Sequence, residues 1–317
     1  MINFILLVIL LYSVLLYFLK IRLSLHITNI LYISLSLSLL IYLFFTDKSK
    51  FTDNYTYLSR FSTLQNMNIK QMMTSEIFEV FFRIISWTLL QIFSIENTFN
   101  IIVMITNACL FYTIYKIFDN KQLSIILILL YSLSPFIDYS QNILRQTMCI
   151  SFLFLTIIIK RRFTKTLIYF LSAFLHISVI PLLLLQMFQK KLNIKFLIFI
   201  FISSIILYLT DWNAKIFGDI IYFEEYYNDL AFSRYGSENN RIDFLLVTIF
   251  ISSYSLFLYF NNYLSRNILI YTLISSIYFC LMAFQAFSDR YAIYVWFLIP
   301  YFAVLTLHMI QERIKLK

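Results

Sequence analysis

Apolar residues run along this chain in stretches of roughly twenty, separated by short polar or basic turns, a length that crosses a hydrocarbon core of about 30 Å. Eleven such segments can be drawn: 3–19, 27–46, 77–94, 98–116, 122–138, 146–159, 164–187, 194–211, 243–260, 267–287 and 291–310. Their apolar runs are continuous rather than alternating. That excludes a β-barrel, whose strands switch between apolar and polar positions at every residue. The pattern predicts an all-α, polytopic integral membrane protein with one membrane domain over residues 1–317.

Charge decides how many segments cross. If all eleven do, more Lys and Arg fall outside than inside, against the positive-inside rule. Two segments resolve the conflict. Segment 77–94 carries Glu79, Arg83, Ser86 and Gln91 among its apolar residues, which suits a helix lying in the outer interface. Segment 164–187 can turn near His176 and Ser178 as a re-entrant pair of half-helices with both ends cytoplasmic. The expectation is about nine transmembrane helices plus a re-entrant hairpin, with eleven spans as the alternative. The first long outer loop, 47–97, then contains the interfacial helix, and the second covers 212–242. The first segment, Ile2 to Leu19, lacks a basic n-region and a small-residue cleavage site, and reads as a span rather than a cleaved signal.

Composition narrows the chemistry. Of the 317 residues 13% are charged, about half the usual share for soluble domains. The net charge of +9 sits in short inter-helix loops, where it orients the protein in a bilayer rather than binding nucleic acid. Only two glycines occur, Gly218 and Gly236, too few for a phosphate-cradling loop or dinucleotide fingerprint. No nucleotide or other cofactor is expected. Cys109, Cys149 and Cys280 lie in apolar runs without metal-ligand spacing and read as core thiols, with no metal site.

Ionisable residues at membrane depth are costly, roughly 2.5–3.5 kcal/mol even on insertion scales, so those that persist are functional candidates. Arg145 lies in "NILRQT", with Asn142 three residues before it and four before the adjacent Gln146, so one helical face collects Asn142 with Arg145 or Gln146. These donors at the outer lip of a helix pair suit a phosphate, which arginine reads bidentately. Arg290, in "DRYAIY", sits in a break between two segments on the same side, followed by Tyr291 and Tyr294 at helical spacing. His176, in "FLHIS", has a near-neutral pKa in its unperturbed form and suits a general base. Asp53 precedes Tyr55, Tyr57 and Arg60, while Glu76 and Glu79 open the interfacial segment three residues apart, on one helical face. Tyr222, Glu224, Glu225, Tyr226 and Tyr227 form an aromatic-acidic cluster of the kind that contacts sugars. Asp53, Glu79, Arg145, His176 and Arg290 are all expected to face one outer cavity that receives an anion, such as a polyprenyl diphosphate.

On "DNYTYLSR", "FEVFF", "NILRQT", "FLHIS" and "DRYAIY", in this order, the chain resembles the EpsG/Wzy-type bacterial polysaccharide polymerases of O-antigen, capsule and exopolysaccharide pathways over nearly its whole length. Members often carry a glycine after the acidic residue matching Glu79; here it is Val80. The resemblance implies a metal-independent glycosyltransferase of the cytoplasmic membrane. It would pass a growing glycan from undecaprenyl diphosphate to the next lipid-linked repeat unit on the extracytoplasmic face. Undecaprenyl-diphosphate-linked oligosaccharide would be both donor and acceptor, membrane lipid the surroundings, and a chain-length regulator a protein partner. Arg145, Arg290, Asn142 and Gln146 would hold the diphosphate, and His176, Asp53 or Glu79 would take the acceptor proton. Tyr57, Glu224, Tyr226 and Tyr294 would contact the glycan. Two rivals remain: a lipid-linked oligosaccharide flippase or other transporter, for which internal repeats would be expected and none is seen, and an O-antigen ligase, which differs only in its acceptor.

Overall fold

The computed structural model of the protein describes residues 2–21, 23–48, 51–133, 135–180, 182–183, 191–217, 240–284 and 288–315. Among these residues the regular structure is helical, with no strand. The chain forms two compact units, Met1–Ile180 and Pro181–Lys317.

The first unit contains α1 (Ile2–Phe18), α2 (Leu25–Phe45), α3 (Thr52–Gln65), α4 (Ile69–Thr74), α5 (Val80–Leu90), α6 (Ile95–Ile117), α7 (Lys121–Leu133), α8 (Pro135–Asn142), α9 (Leu144–Ile158), α10 (Arg162–Leu175) and a 3₁₀ turn at Ile177–Val179. Local sequence explains several starts. Ser24 and Ser94 cap α2 and α6 by accepting from the N–H groups of Ile27 and Asn97. Asn68 and Gln71 close a reciprocal capping box on α4. Helix α6 is the hub: α9, α2 and α7 pack against it. It buries Thr106 and Asn107 there, and α9 buries Thr147 and Ser151. Small and hydroxylated residues let helices approach closely where lipid offers no hydrophobic drive between them.

The second unit contains α11 (Ile194–Leu209), α12 (Trp212–Phe217), α13 (Ile242–Phe260), α14 (Arg266–Met282), α15 (Ser288–Trp296) and α16 (Ile299–Lys315). Helix α14 is buried nearly all round, between α11, α13 and α15. A hydroxyl pair, Ser252 to Ser276 at 2.6 Å, joins α13 to it.

Large apolar side chains point outward on the peripheral helices: Phe4, Leu11, Phe45, Phe250 and Phe260 are all exposed. In water such surfaces would aggregate, whereas in a bilayer they meet hydrocarbon. Four helical stretches are long and apolar enough to cross a membrane, Leu25–Phe45, Ile95–Ile117, Ile242–Phe260 and Arg290–Ile314; a fifth arises if α7 and α8, bent by 59°, form one broken span. The protein is thus a multi-pass membrane protein.

Two elements differ from expectation, and a third breaks where a turn was expected. The first outer loop, 47–97, carries α3 and α4 ahead of α5. The apolar segment 77–94 forms helix only over Val80–Leu90, so Glu76 and Glu79 do not share a helical face. Segment 164–187 is not one helix: α10 ends at Leu175 and is about 21 Å long at 1.5 Å per residue, short of the ~30 Å core. His176 turns the chain in an extended conformation (φ −157°, ψ 119°) into the 3₁₀ turn.

Candidate active site

The first unit gathers its site at the starts of α3, α5 and α9 and the end of α10. Glu79 is the N-cap residue of α5, yet its side chain makes no capping hydrogen bond. The carboxylate turns away from its own helix. One oxygen, Oε2, pairs with a terminal nitrogen of Arg145. The other, Oε1, lies 3.0 Å from Nδ1 of His176 and accepts at 3.4 Å from the backbone N–H of Ile177. One carboxylate therefore ties α5 to the first turn of α9 and to the break after α10. The three side chains are 18–23% exposed, open enough for a substrate to reach and enclosed enough for charge to act strongly.

Electrostatics follow from that geometry. Burial pushes the Glu79 carboxyl upward, but the His176 hydrogen bond and the Arg145 and His176 charges outweigh it, holding it down at about 2. Glu79 is therefore an anion at any physiological pH. An ionised carboxylate only accepts hydrogen bonds, so Nδ1 of His176 carries a proton, and in the neutral ring Nε2 is the nitrogen that holds the basic lone pair.

The residue that aims Glu79 is Phe78, which adopts φ 63°. Left-handed backbone costs a non-glycine residue roughly 1–2 kcal/mol. Lys20, Asp211 and Asn262 share this conformation, but each follows a helix end, where it is ordinary; Phe78 precedes a helix. Its neighbours hold it there. The ring stacks on Tyr57 at 5.7 Å and meets Phe61 and Phe82 edge-on at 5.7 and 5.1 Å. The guanidinium groups of Arg145 and Arg60 lie 5.3 and 5.5 Å from the ring centre. Buried Arg83 donates to the carbonyls of Phe78 (3.4 Å) and Met73 (3.2 Å), pinning the loop from below. Nothing in the sequence pattern marks Phe78 as strained. Arg83, an arginine four residues after Glu79 in an apolar run, is the signal that could have exposed the loop anchor.

Helix α9 begins after a break at Ile143 (φ −104°, ψ 56°), without a side-chain cap from that residue. Tyr57, from α3, supplies a partner instead: its hydroxyl accepts from the Arg145 N–H at 3.4 Å. The break corrects the spacing argument. Asn142 ends α8, so it shares no continuous helical face with Arg145 and Gln146. Asn142 Oδ1 accepts from the backbone N–H of Asp53 at 3.1 Å, which brings the start of α3 onto the α8–α9 joint. Gln146 is buried. Cys149 behaves as expected of a core thiol and more, for its sulfur contacts the Ser172 carbonyl at 3.2 Å. The same carbonyl accepts from the His176 N–H at 3.2 Å, so α9 steadies the turn that carries His176.

The structure thus brings Asp53, Tyr57, Glu79, Asn142, Arg145 and His176 into one neighbourhood. The Tyr57 ring is buried among aromatics, so it contributes packing and a hydroxyl rather than a face for a sugar. Arg290 and Tyr294 belong to the second unit, in α15. Tyr294 is fully buried and packs edge-on against Tyr278 at 6.1 Å; it presents no open ring for sugar stacking. Glu224 and Tyr226 lie outside the described residues. Among the described residues no group of three or more His, Cys, Asp and Glu side chains is placed to hold a metal ion.

No curated protein and no solved structure is significantly similar to this chain. The model of the EpsG family matches residues 31–317, a stretch that holds every residue of the cluster just described and nearly all of the chain. The chain belongs to the EpsG family.

Proposed function

We propose that this protein polymerises lipid-linked polysaccharide repeat units, moving a growing glycan from undecaprenyl diphosphate to the next lipid-linked unit on the outer face of the cytoplasmic membrane. Membership of the EpsG family supplies the frame, a membrane polysaccharide polymerase of glycosyltransferase-like character. The observation that carries the finer reading is the Glu79 carboxylate shared between His176 and Arg145.

In this proposal the acceptor hydroxyl oxygen bonds to the anomeric carbon of the donor sugar. The bond from that carbon to the diphosphate oxygen breaks, and the electron pair leaves with the diphosphate. The hydroxyl proton goes to Nε2 of His176. Support for His176 as the base comes from its tautomer, set by Glu79, and from the poor basicity of a carboxylate held at about 2. Glu79 orients the ring and stabilises the imidazolium that forms. Arg145 keeps donors beyond the one engaged by Glu79: its Nε is buried without a hydrogen-bond partner among the described residues. A buried, unpaired donor is costly to the folded chain, and a departing diphosphate would satisfy it while its negative charge grows. Arginine and histidine supply the charge that a metal would otherwise provide, so the reaction is proposed as metal-independent. Arg290 is proposed as a further diphosphate ligand on sequence grounds, and about nine spans with a re-entrant turn at His176 as the topology.

The test is reconstitution. Purified full-length protein in lipid nanodiscs should convert lipid-linked repeat units, extracted from source cells lacking this chain, into a ladder of longer glycans with release of undecaprenyl diphosphate. Transfer to a non-repeat acceptor without a ladder would favour the ligase instead.

A further inference from the structure

A cavity in the first unit, about 300 Å³, opens where the end of α2 meets α3 and α6. Its polar lining comes from Asp47, Asn54, Glu96 and Asn100, and its apolar lining from Leu58 and Phe99. The spacing explains the convergence: Asn54 and Leu58 are one turn apart on α3, and Glu96, Phe99 and Asn100 share one face of α6. Lys48 also lines it, with its ammonium donating to the carbonyls of Leu43 and Thr46 at 2.6 and 2.8 Å. That lysine closes the end of α2.

The informative residue is Asn54. It is only 9% exposed, and among the described residues no hydrogen bond engages its side-chain amide. The amide opens onto the cavity rather than being sealed in the core, so a ligand that enters can complete its hydrogen bonds. The cavity is tied to the reaction centre by one ring contact. Phe99 meets Tyr57 edge-on at 5.7 Å, and the Tyr57 hydroxyl touches the Arg145 backbone.

We infer that this cavity is a sugar subsite, holding one residue of the lipid-linked repeat unit whose ring is neutral or amino-substituted rather than acidic. Carboxylates accept from vicinal hydroxyls, the two amides both donate and accept, and Leu58 and Phe99 give the CH face an apolar wall. With the Lys48 ammonium held on the Leu43 and Thr46 carbonyls, the Asp47 and Glu96 carboxylates leave the lining net negative, which disfavours a phosphate or a uronic acid and separates this cavity from the diphosphate site. The inference rests on the polymerase reading for its ligand, but its test does not depend on turnover.

The probe is the repeat-unit oligosaccharide freed from its lipid by mild acid, with binding to the full-length protein in detergent measured by calorimetry. The variants are Asn54→Leu and Glu96→Gln. Both should weaken binding at least tenfold, while Asn54→Leu leaves the melting temperature unchanged or raised, because it removes an amide that the fold does not pair. Glu96 is exposed, so Glu96→Gln reports on binding even if Asn54→Leu misfolds. Binding within threefold of the parent in Glu96→Gln, or no binding by the parent protein, overturns the subsite. Polymerisation is assayed in parallel. A parent that makes polymer while the variants bind normally leaves the polymerase standing and removes the subsite. A parent that binds the oligosaccharide through these residues yet makes no polymer does the reverse.

Discussion

Glu79 and His176 stand 97 positions apart in sequence and 3.0 Å apart in space, carboxylate oxygen to Nδ1. A helix break produces each end of that contact. Glu79 precedes α5 without capping it, and His176 follows α10 without continuing it. Both side chains are thereby released from helical register and can meet.

Arg145 tests the anion role. Arg145→Lys retains a cation for Glu79, so protein level in the membrane should stay near normal. An ammonium cannot reproduce a planar fork of donors, and transfer should fall by about 10²-fold or more, the scale for losing one preorganised donor to developing charge. Arg290→Lys should impair transfer as well. Turnover measured alongside protein level decides both, and full-length polymer from both lysine variants would remove phosphate clamping from the account.

The Glu79 interaction should have a pH signature. Its folded-state pKa lies below the ordinary value of 4.5, at about 2. A depressed carboxyl contributes stability that is fully present above the unfolded value and is lost as pH falls through the folded one. The melting-temperature difference between the parent and Glu79→Gln should therefore shrink as pH falls from about 4.5 toward 2. A difference that stayed constant to pH 2 would show that the ion pair does not stabilise the fold.

Phe78 gives an inverted substitution order. Phe78→Ala removes the ring from its aromatic cluster and should cost about 3–5 kcal/mol. Phe78→Gly loses the same ring but relieves the left-handed backbone, so it should be more stable than the alanine variant by about 1 kcal/mol. At a position with ordinary backbone, glycine is the worse of the two. Thermal unfolding of both variants in one detergent reads the order directly.

The proposed topology puts α3 outside and the basic run Lys160 to Lys165 in the cytoplasm. Ser62→Cys, at an exposed position on α3, should react with a membrane-impermeant maleimide in intact spheroplasts, and a cysteine at Arg161 only after lysis. The opposite pattern would invert the side on which the reaction is proposed.

Much of this architecture is visible in the apolar runs, because helices in lipid must satisfy their own backbone and carry an outward apolar face. Glu79, Arg145 and His176 also stand out beforehand, since ionisable residues in greasy surroundings persist only with a reason. Their mutual pairing does not. It depends on where helices break, and the break residue Ile143 and the last α10 residue Leu175 are apolar residues that continue a helix as readily as they interrupt one. Tertiary contacts set them, through Tyr57 at the start of α9 and Cys149 at the end of α10. Spacing rules that assume unbroken helices accordingly misplace Asn142 relative to Arg145 and Glu76 relative to Glu79. The buried rings of Tyr57 and Tyr294 were equally hidden, for a tyrosine in a core and one at a sugar site look alike in a sequence.

The central claim is that His176, oriented by Glu79, removes the acceptor proton, and a pair of variants at that position tests it most directly. Glutamine keeps a hydrogen bond to Glu79 and most of the side-chain volume but cannot take up a proton; alanine keeps neither. Polymer formation from lipid-linked repeat units by purified protein, in the presence of EDTA, should fall roughly 10²–10⁴-fold in His176→Gln and as far in His176→Ala, the scale expected for a lost general base. The parent rate should be indifferent to the chelator. A His176→Gln protein that polymerised at near-parental rate while His176→Ala did not would make the histidine a packing residue, and the proton acceptor would have to be another group.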